Sequence, residues 1–194
     1  MELLLDFLHS IHPLPDELRE QLACILRRKS FRRKEFLLRA GHVSRCIYFI
    51  EEGLVRCFYM LGDKDISAWF MKEGDVVVSV NSFFGQVKSA ESIQALEDTI
   101  VHYISYDELE ALYKTFLSFN VNGRKLLTHY YRLSEQRAIS MRSMKARDRY
   151  GYLLSHQPEL LQRVPRKFLA SYLGLTEATL SNIPSKKSPL TIKR

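Results

Sequence analysis

The residues best suited to chemistry lie near the C-terminus, within residues 164–187. Arg166 and Lys167 are cations of the kind that contact phosphate oxygens. Asn182 has an amide that can pair with adenine, and Glu177 can accept a hydrogen bond from cytosine. These types and spacings favour contact with a nucleic-acid duplex. The candidate contact residues are Arg166, Lys167, Thr176, Glu177, Thr179, Asn182, Lys186 and Lys187.

Two short helices joined by a tight turn would have to position these side chains. Pro165 fits the first turn of a helix, where a missing N–H costs nothing. Ala170 is small enough for a second helix to cross closely, and Gly174 supplies the left-handed turn. Thr176 can cap the second helix, whose Leu180 faces inward. This order and spacing predict a helix-turn-helix.

The charge distribution separates this region from the rest of the chain. Residues 1–118 contain 14 Lys and Arg against 18 Asp and Glu, a balance of −4, whereas residues 119–194 contain 15 against 4, a balance of +11. A basic C-terminal third is typical of a nucleic-acid-binding module. A solvated basic face is the alternative.

Residues 30–105 have the composition of short β-strands. Runs rich in Val, Ile, Phe and Tyr are separated by glycine or acidic residues, which predicts an antiparallel sandwich or barrel. Glu52-Gly53 is the predicted turn of a hairpin, because glycine accepts a positive φ without strain. The predicted strands lie in EFLLRA (35–40), CIYFIEEGLVRCFYM (46–60), ISAWFM (66–71), DVVVSV (75–80) and TIVHYIS (99–105).

Helical spacing of apolar residues flanks this β region. Residues 2–28 predict two short helices, with Asp16 as the cap of the second. Residues 106–117 predict a further helix, and a much longer one begins near Asn120. A helix over RDRYGYLLSHQP (147–158) is predicted to close at Pro158.

The long helix has one apolar stripe, formed by residues that recur every three or four positions. Such a stripe favours pairing with the same helix of a second copy, and packing on the chain's own β region is the alternative. The predicted homodimer residues are Leu126, Tyr130, Leu133, Arg137, Met141 and Met144.

Several function classes find no support in the sequence. Cys24, Cys46 and Cys57 are scattered and form no C-x-x-C pair, so neither a disulfide framework nor a zinc site is expected. No apolar run approaches membrane-spanning length and no signal peptide is recognisable, so a cytoplasmic protein without membrane contact is expected. No triad spacing or phosphate loop is visible, so an enzyme is not expected.

Nearly the whole chain resembles the cyclic-AMP receptor and fumarate-nitrate regulator (Crp/Fnr) family, and most of all the branch common in Bacteroidetes-type bacteria. The resemblance rests on YFIEEGLVRCFY (48–59) as the central hairpin, IQALEDTIVHYIS (93–105) as the last roll strands and VPRKFLASYLGLTEATLS (164–181) as the DNA-contacting head. It implies an α+β protein, with an antiparallel β-roll or jelly roll like that of cyclic-nucleotide-binding proteins and flanking helices. The implied parts are a sensor domain (1–118), a dimerisation helix (119–144) and a helix-turn-helix domain (145–194). Implied partners are a second copy, a palindromic promoter in double-stranded DNA and RNA polymerase.

The sequence departs from the family at the ligand site. Members that bind cyclic nucleotides have Gly-Glu and then Arg-(Ser/Thr)-Ala, whereas here Gly85-Gln86 is followed by no arginine before Arg124. A buried phosphate is costly to hold without a guanidinium, so cyclic AMP is not expected, and neither is another cofactor. Two alternatives remain. The same cavity binds an unidentified effector, or the cavity is filled by the chain's own aromatic rings. The candidate ligand residues are Phe70, Ser79, Phe83, Phe84, Gly85, Gln86, Lys88 and Ser92.

A second departure lies in the recognition helix. The branch usually has arginine near the positions of Asn182 and Pro184, and proline should end the helix by about Ile183. Base contact would then fall to Glu177, Thr179 and Asn182. The expected function is a transcription regulator with an unknown signal, and the alternative is a dimeric β-roll protein that no longer selects a DNA sequence.

Overall fold

A computed structural model describes residues 1–183 of the chain. The chain divides into two compact units, Met1–Arg132 and Leu133–Arg194. The boundary of the units lies inside the long helix, whereas the sequence predicted the sensor boundary at residue 118. Across residues 1–183, no helix combines the length and the apolar character needed to cross a membrane.

The first unit contains the predicted antiparallel roll, built from eight strands. They are β1 (Arg27–Phe31), β2 (Phe36–Leu38), β3 (Cys46–Glu52), β4 (Leu54–Leu61), β5 (Lys64–Lys72), β6 (Val76–Val77), β7 (Glu91–Ala95) and β8 (Thr99–Ser105). They form two antiparallel sheets of four strands each, in the orders β1-β8-β3-β6 and β2-β7-β4-β5.

The predicted hairpin at Glu52-Gly53 is wrong. Strand β3 pairs with β8 and β6, whereas β4 pairs with β5 and β7, so the chain changes sheets at Gly53. Gly53 has φ 104°, and a Cβ there would lie 2.5 Å from Thr99 Oγ1 and 2.7 Å from Asp98 O. Positive φ predicted a turn correctly, but the hairpin of β4 is with β5, across Gly62-Asp63.

A core of aliphatic side chains fills the space between the sheets. Alternate residues of a strand point to the same face, so Val55 and Cys57 of β4 face inward together with Ile93 and Ala95 of β7. Ile50 and Val101 of the other sheet join them, and all of these side chains are nearly or fully buried. The β-roll therefore has its own hydrophobic core.

Helices cover the outer face of the first sheet. They are α1 (Glu2–Ile11), α2 (Asp16–Ile25), α4 (Tyr106–Thr115) and the start of α5 (Phe119–Ser143). Leu5, Leu18 and Leu109 pack there on one core with Phe49. Ser105 and Glu108 form a capping box that starts α4.

One detail of the helical predictions is wrong. Asp16 is the first residue of α2 rather than its cap, and Pro15 takes the cap position without a side-chain hydrogen bond. The predicted end of a helix at Pro158 is confirmed, because α6 (Ala146–His156) ends just before it. Pro158 also begins α7 (Pro158–Arg163), where its missing N–H is harmless.

The second unit contains the end of α5 and four further helices within the described residues. After α6 and α7 come α8 (Arg166–Leu173) and α9 (Glu177–Ser181). Leu153, Leu160, Leu169 and Leu180 are buried in this unit. They give it a small core of its own.

Candidate nucleic-acid interface and ligand region

Helices α8 and α9 lie where the sequence predicted the two helices of a helix-turn-helix. Gly174 ends α8 in the left-handed conformation with φ 66°. Its N–H donates to Ser171 O over 3.1 Å, and the next N–H, of Leu175, donates to Ala170 O over 2.8 Å. Ala170 is 1% exposed, as expected of a small residue where two helices cross. The sequence therefore predicted this turn correctly.

The start of α9 has the predicted cap. Thr176 Oγ1 accepts a hydrogen bond from Thr179 N over 3.1 Å, and the two hydroxyl oxygens lie 2.8 Å apart. Thr179 therefore uses part of its hydrogen-bonding capacity to stabilise the helix. A base contact by Thr179 would have to share that hydroxyl.

The helix ends as early as expected. Its last residue is Ser181, and Asn182 N donates to Ala178 O and Thr179 O. Ile183 is only partly buried. Pro184, Lys186 and Lys187 lie outside the described residues.

Two arginines bind the C-terminal end of α8. The Arg137 guanidinium lies 3.7 Å from the Tyr172 ring centroid and donates to Tyr172 O over 2.8 Å. Arg149 donates to Leu173 O over 2.9 Å and to Met144 O over 2.7 Å. The sequence analysis assigned Arg137 to a dimer face and gave Arg149 no role, because helical spacing does not show which residues of α8 lie beside them.

The candidate DNA-contacting residues that the structure describes are all exposed. Arg166 and Lys167 lie at the start of α8, and the others lie at the turn and on α9. Their side chains point away from Leu169, Leu173 and Leu180, which are buried. The exposed members are Arg166, Lys167, Thr176, Glu177, Thr179 and Asn182.

The predicted dimer stripe on α5 is largely used within the chain. Leu126 and Tyr130 pack against the core of the first unit, and Tyr130 Oη accepts a hydrogen bond from Val76 N over 2.7 Å. Leu133 is half-buried. Met141 is 38% exposed, and Met144 Sδ accepts a hydrogen bond from Ser140 over 3.2 Å. For Leu126 and Tyr130 the structure favours the alternative, packing on the chain's own β region.

A neighbouring face of α5 is more exposed. Leu127 and Tyr131 are 52% and 62% exposed. Ser134, Ala138 and Met141 continue from them at alternating steps of three and four residues, and all are exposed. That spacing is typical of helices that pair side by side. The sequence missed it because small and polar residues interrupt the apolar pattern.

The structure separates the predicted ligand residues. A short helix, α3 (Val80–Gly85), replaces the end of the predicted strand DVVVSV. Phe83 is fully buried and stacks edge-on against Tyr106, so its ring belongs to the core. Ser79 is also buried, whereas Phe84, Gly85, Gln86 and Lys88 are exposed.

Phe70 and Ser92 lie on another face. Across the second sheet Phe70 is paired with Arg56, and Ser92 is paired with Phe58, on the side opposite Cys57 and Ile93. The sequence grouped Phe70 and Ser92 with Ser79 because strand pairing cannot be deduced from the distance along a chain.

Arg56 is the arginine that comes before this region, and Asp65 binds its guanidinium. It is 1% exposed and donates to both Asp65 carboxylate oxygens, over 2.6 and 2.8 Å. Its guanidinium also lies 3.9 Å from the Phe58 ring centroid. A cyclic phosphate would have to displace Asp65 to use this guanidinium, so Arg56 is no substitute for the missing arginine.

Glu91 is the residue that the sequence analysis missed. It begins β7 and faces the inside of the roll with Ile93 and Cys57. Burial raises the pKa of its carboxyl group, and a hydrogen bond from Ser79 partly opposes that rise. Ser79 and Ser89 are joined by a 2.9 Å hydrogen bond between their hydroxyl oxygens. The signal in the sequence was an acid directly before Ser92.

The β-roll is similar to a known family of domains. Residues 28–116 match the family model of the "Cyclic nucleotide-binding domain". The match covers a little under half of the chain. Among curated proteins, none has a sequence that matches the chain significantly.

Solved structures extend the likeness beyond this domain. FixK2 from Bradyrhizobium japonicum is 20% identical, with 82% of each chain covered and a TM-score of 0.70. The c-di-GMP-responsive global regulator CLP of Xanthomonas campestris is 19% identical, with 84% of this chain and 87% of that chain covered and a TM-score of 0.67. The catabolite activator protein of Thermus thermophilus is 20% identical, with 91% and 84% covered and a TM-score of 0.58. The chain therefore shares the fold of these three structures.

Proposed function

We propose that the protein is a DNA-binding transcription regulator of the Crp/Fnr type, of the Bacteroidetes-type branch. The observation that supports this most is the exposed polar face of the helix-turn-helix, with Arg166 and Lys167 at one end and Asn182 at the other. The basic balance of residues 119–194 supplies the attraction to phosphates. Such a regulator would work in the cytoplasm without catalysing a reaction, and RNA polymerase is a candidate partner.

In this proposal each residue type has a separate task. Arg166 and Lys167 contact phosphates, together with Lys186 and Lys187 beyond the described residues. Glu177 and Asn182 offer the polar groups for base edges. Because α9 ends at Ser181 and has no arginine, phosphates would supply most of the affinity and discrimination between sequences would be modest.

The regulator would act as a homodimer. We place the contact on the exposed α5 face from Leu127 to Met141, which shares only Met141 with the predicted stripe, because Leu126 and Tyr130 are already packed. A two-fold axis through paired helices would present two DNA-contacting heads, and a palindromic site would match them.

The domain would respond to a small signal other than cyclic AMP. Half-buried Glu91 brings a carboxylate near Ser79, and the guanidinium of Arg56 is held by Asp65. Both features oppose binding of a cyclic phosphate.

Fluorescence anisotropy tests the proposal. The purified protein is titrated against a labelled promoter fragment from its own gene neighbourhood, with a scrambled duplex as competitor. Binding with a measurable preference for the fragment supports a regulator. Binding without preference, which the five-residue α9 makes plausible, supports the alternative of a dimeric β-roll protein that no longer selects DNA. Absence of binding in dilute salt would refute the proposal.

A further inference from the structure

The starting point is the surroundings of Glu91. Its carboxylate interacts with the Ser79 hydroxyl, which is joined to Ser89. Ser89 in turn donates to Glu91 O over 2.8 Å and accepts from Glu91 N over 3.1 Å. Ser79 and Ser89 are 2% and 4% exposed. Ser89 therefore holds the backbone of Glu91 at the start of β7, beside the Ser79 hydroxyl.

No cation neutralises Glu91 in the described part of the chain. Glu91 takes part in no ion pair within residues 1–183, where an ion pair joins a Lys, Arg or His nitrogen to a carboxylate oxygen over 4.0 Å or less. Lys88, three residues earlier, is exposed. Glu91 is half-buried, and even partial burial of a carboxylate without a positive partner is unfavourable. A purely structural role would be served at least equally well by glutamine.

The groups that face Glu91 suit an organic cation. Tyr59 of β4 lies directly opposite on the same face of the sheet and is 42% exposed, so its ring is open to a ligand. A ring beside a carboxylate is a favourable setting for a charged nitrogen. Cys57, the next inward residue of β4, is a buried thiol whose pKa is raised by burial and by Glu91, so it stays neutral. Residues 1–183 contain no group of three His, Cys, Asp or Glu side chains able to hold a metal ion, which argues against a metal here.

We propose that Glu91, positioned by Ser79 and Ser89 and facing Tyr59, binds the ammonium or guanidinium group of a small organic cation. We identify this cation with the effector of the proposed regulator, and only that identification rests on the proposed function. The site itself follows from the geometry of the β-roll.

Protonation gives the site a pH dependence of known sign. A raised pKa means that the folded protein binds the Glu91 proton more tightly than the unfolded chain does. The carboxyl group therefore destabilises the fold as pH rises through its raised pKa, and a bound cation relieves that destabilisation. Cation binding should weaken in acidic buffer, where the carboxyl group is neutral.

Thermal unfolding with matched probes tests the site. Putrescine and agmatine supply ammonium and guanidinium groups, while butanediol and succinate are neutral and anionic compounds of similar length. We expect the two cations, and neither of the others, to raise the melting temperature near neutral pH. Glu91→Gln should melt higher than the wild type without a probe and should bind the cations at least about tenfold more weakly. Glu20→Gln, which removes an exposed negative charge from α2, should behave like the wild type.

Ser79→Ala provides a second variant, and it should weaken the cation response while keeping the charge of Glu91. Equal shifts in Glu91→Gln and in the wild type would overturn the proposal, and so would the absence of a shift with both cations at millimolar concentration. DNA binding is measured on the same samples without probes. If the cations bind through Glu91 but DNA does not bind, the cation site is supported and the proposed regulator is refuted. If DNA binds but the cations do not, only the cation site is refuted.

Discussion

Replacing Gly53 by alanine tests the crossing between the two sheets. At φ 104° an alanine is strained by about 1–3 kcal/mol. Its Cβ would also lie 2.5 Å from Thr99 Oγ1 and 2.7 Å from both Asp98 O and Thr99 Cα, so backbone must move. Overpacking of this kind costs roughly a further 1–3 kcal/mol.

Gly41→Ala is the matched control. Gly41 has φ 85°, so it suffers similar backbone strain, but a Cβ there meets nothing within 4 Å. Both substitutions restrict the unfolded chain equally. The difference between the two variants therefore isolates the contact with residues 98 and 99, and we expect Gly53→Ala to be less stable by about 1–3 kcal/mol.

Urea unfolding, followed by the fluorescence of the single tryptophan, measures this difference in the first unit. Trp69 lies in β5 of the second sheet, so its signal reports on the roll. Equal free energies of unfolding for the two alanine variants would show that Gly53 is only a turn residue, and the description of the crossing would be wrong.

Three further predictions concern the helix-turn-helix, the dimer and the ligand. Thr176→Ala should destabilise α9 by about 1 kcal/mol and speed amide hydrogen exchange at Thr179, whereas Thr176→Ser should not; unchanged exchange would contradict the cap. Leu127→Asp should give a folded monomer by light scattering, whereas Leu126→Asp should lower the melting temperature of the first unit; a dimeric Leu127→Asp would refute the proposed face. Cyclic AMP at millimolar concentration should leave the melting temperature unchanged. A ligand present at 100 times its dissociation constant adds roughly 2.7 kcal/mol to the free energy of unfolding, so a clear rise in the melting temperature would contradict this prediction.

Local features of the fold could be predicted from the sequence. The turn between α8 and α9 was predicted from three residues. Gly174 accepts the left-handed conformation, Thr176 caps α9, and Ala170 is small. The strands of the roll were predicted from their β-branched and aromatic residues in the same way. What could be predicted was determined by interactions within a few residues along the chain.

Features that depend on distant pairing could not be predicted. Gly53 indicates a turn but not the sheet to which the next strand belongs. Phe70 and Ser92 are near Ser79 in the predicted ligand region, yet strand register turns them to the other face. Tyr130 looks like a dimer residue until its hydroxyl is seen to bind Val76 N. In each case the partner comes from a part of the chain that periodicity cannot identify.

The salt dependence of DNA binding tests the central claim most directly. Each neutralised phosphate contributes about −0.9 to the slope of log affinity against log salt, and Arg166 and Lys167 occur twice in a dimer. The double variant Arg166→Gln, Lys167→Gln should therefore have a slope smaller in magnitude by about 3–4. Arg32→Gln with Arg33→Gln removes two exposed arginines from the first unit, and it should leave the slope unchanged. Equal slopes for the wild type and the Arg166, Lys167 variant would contradict DNA binding through the helix-turn-helix.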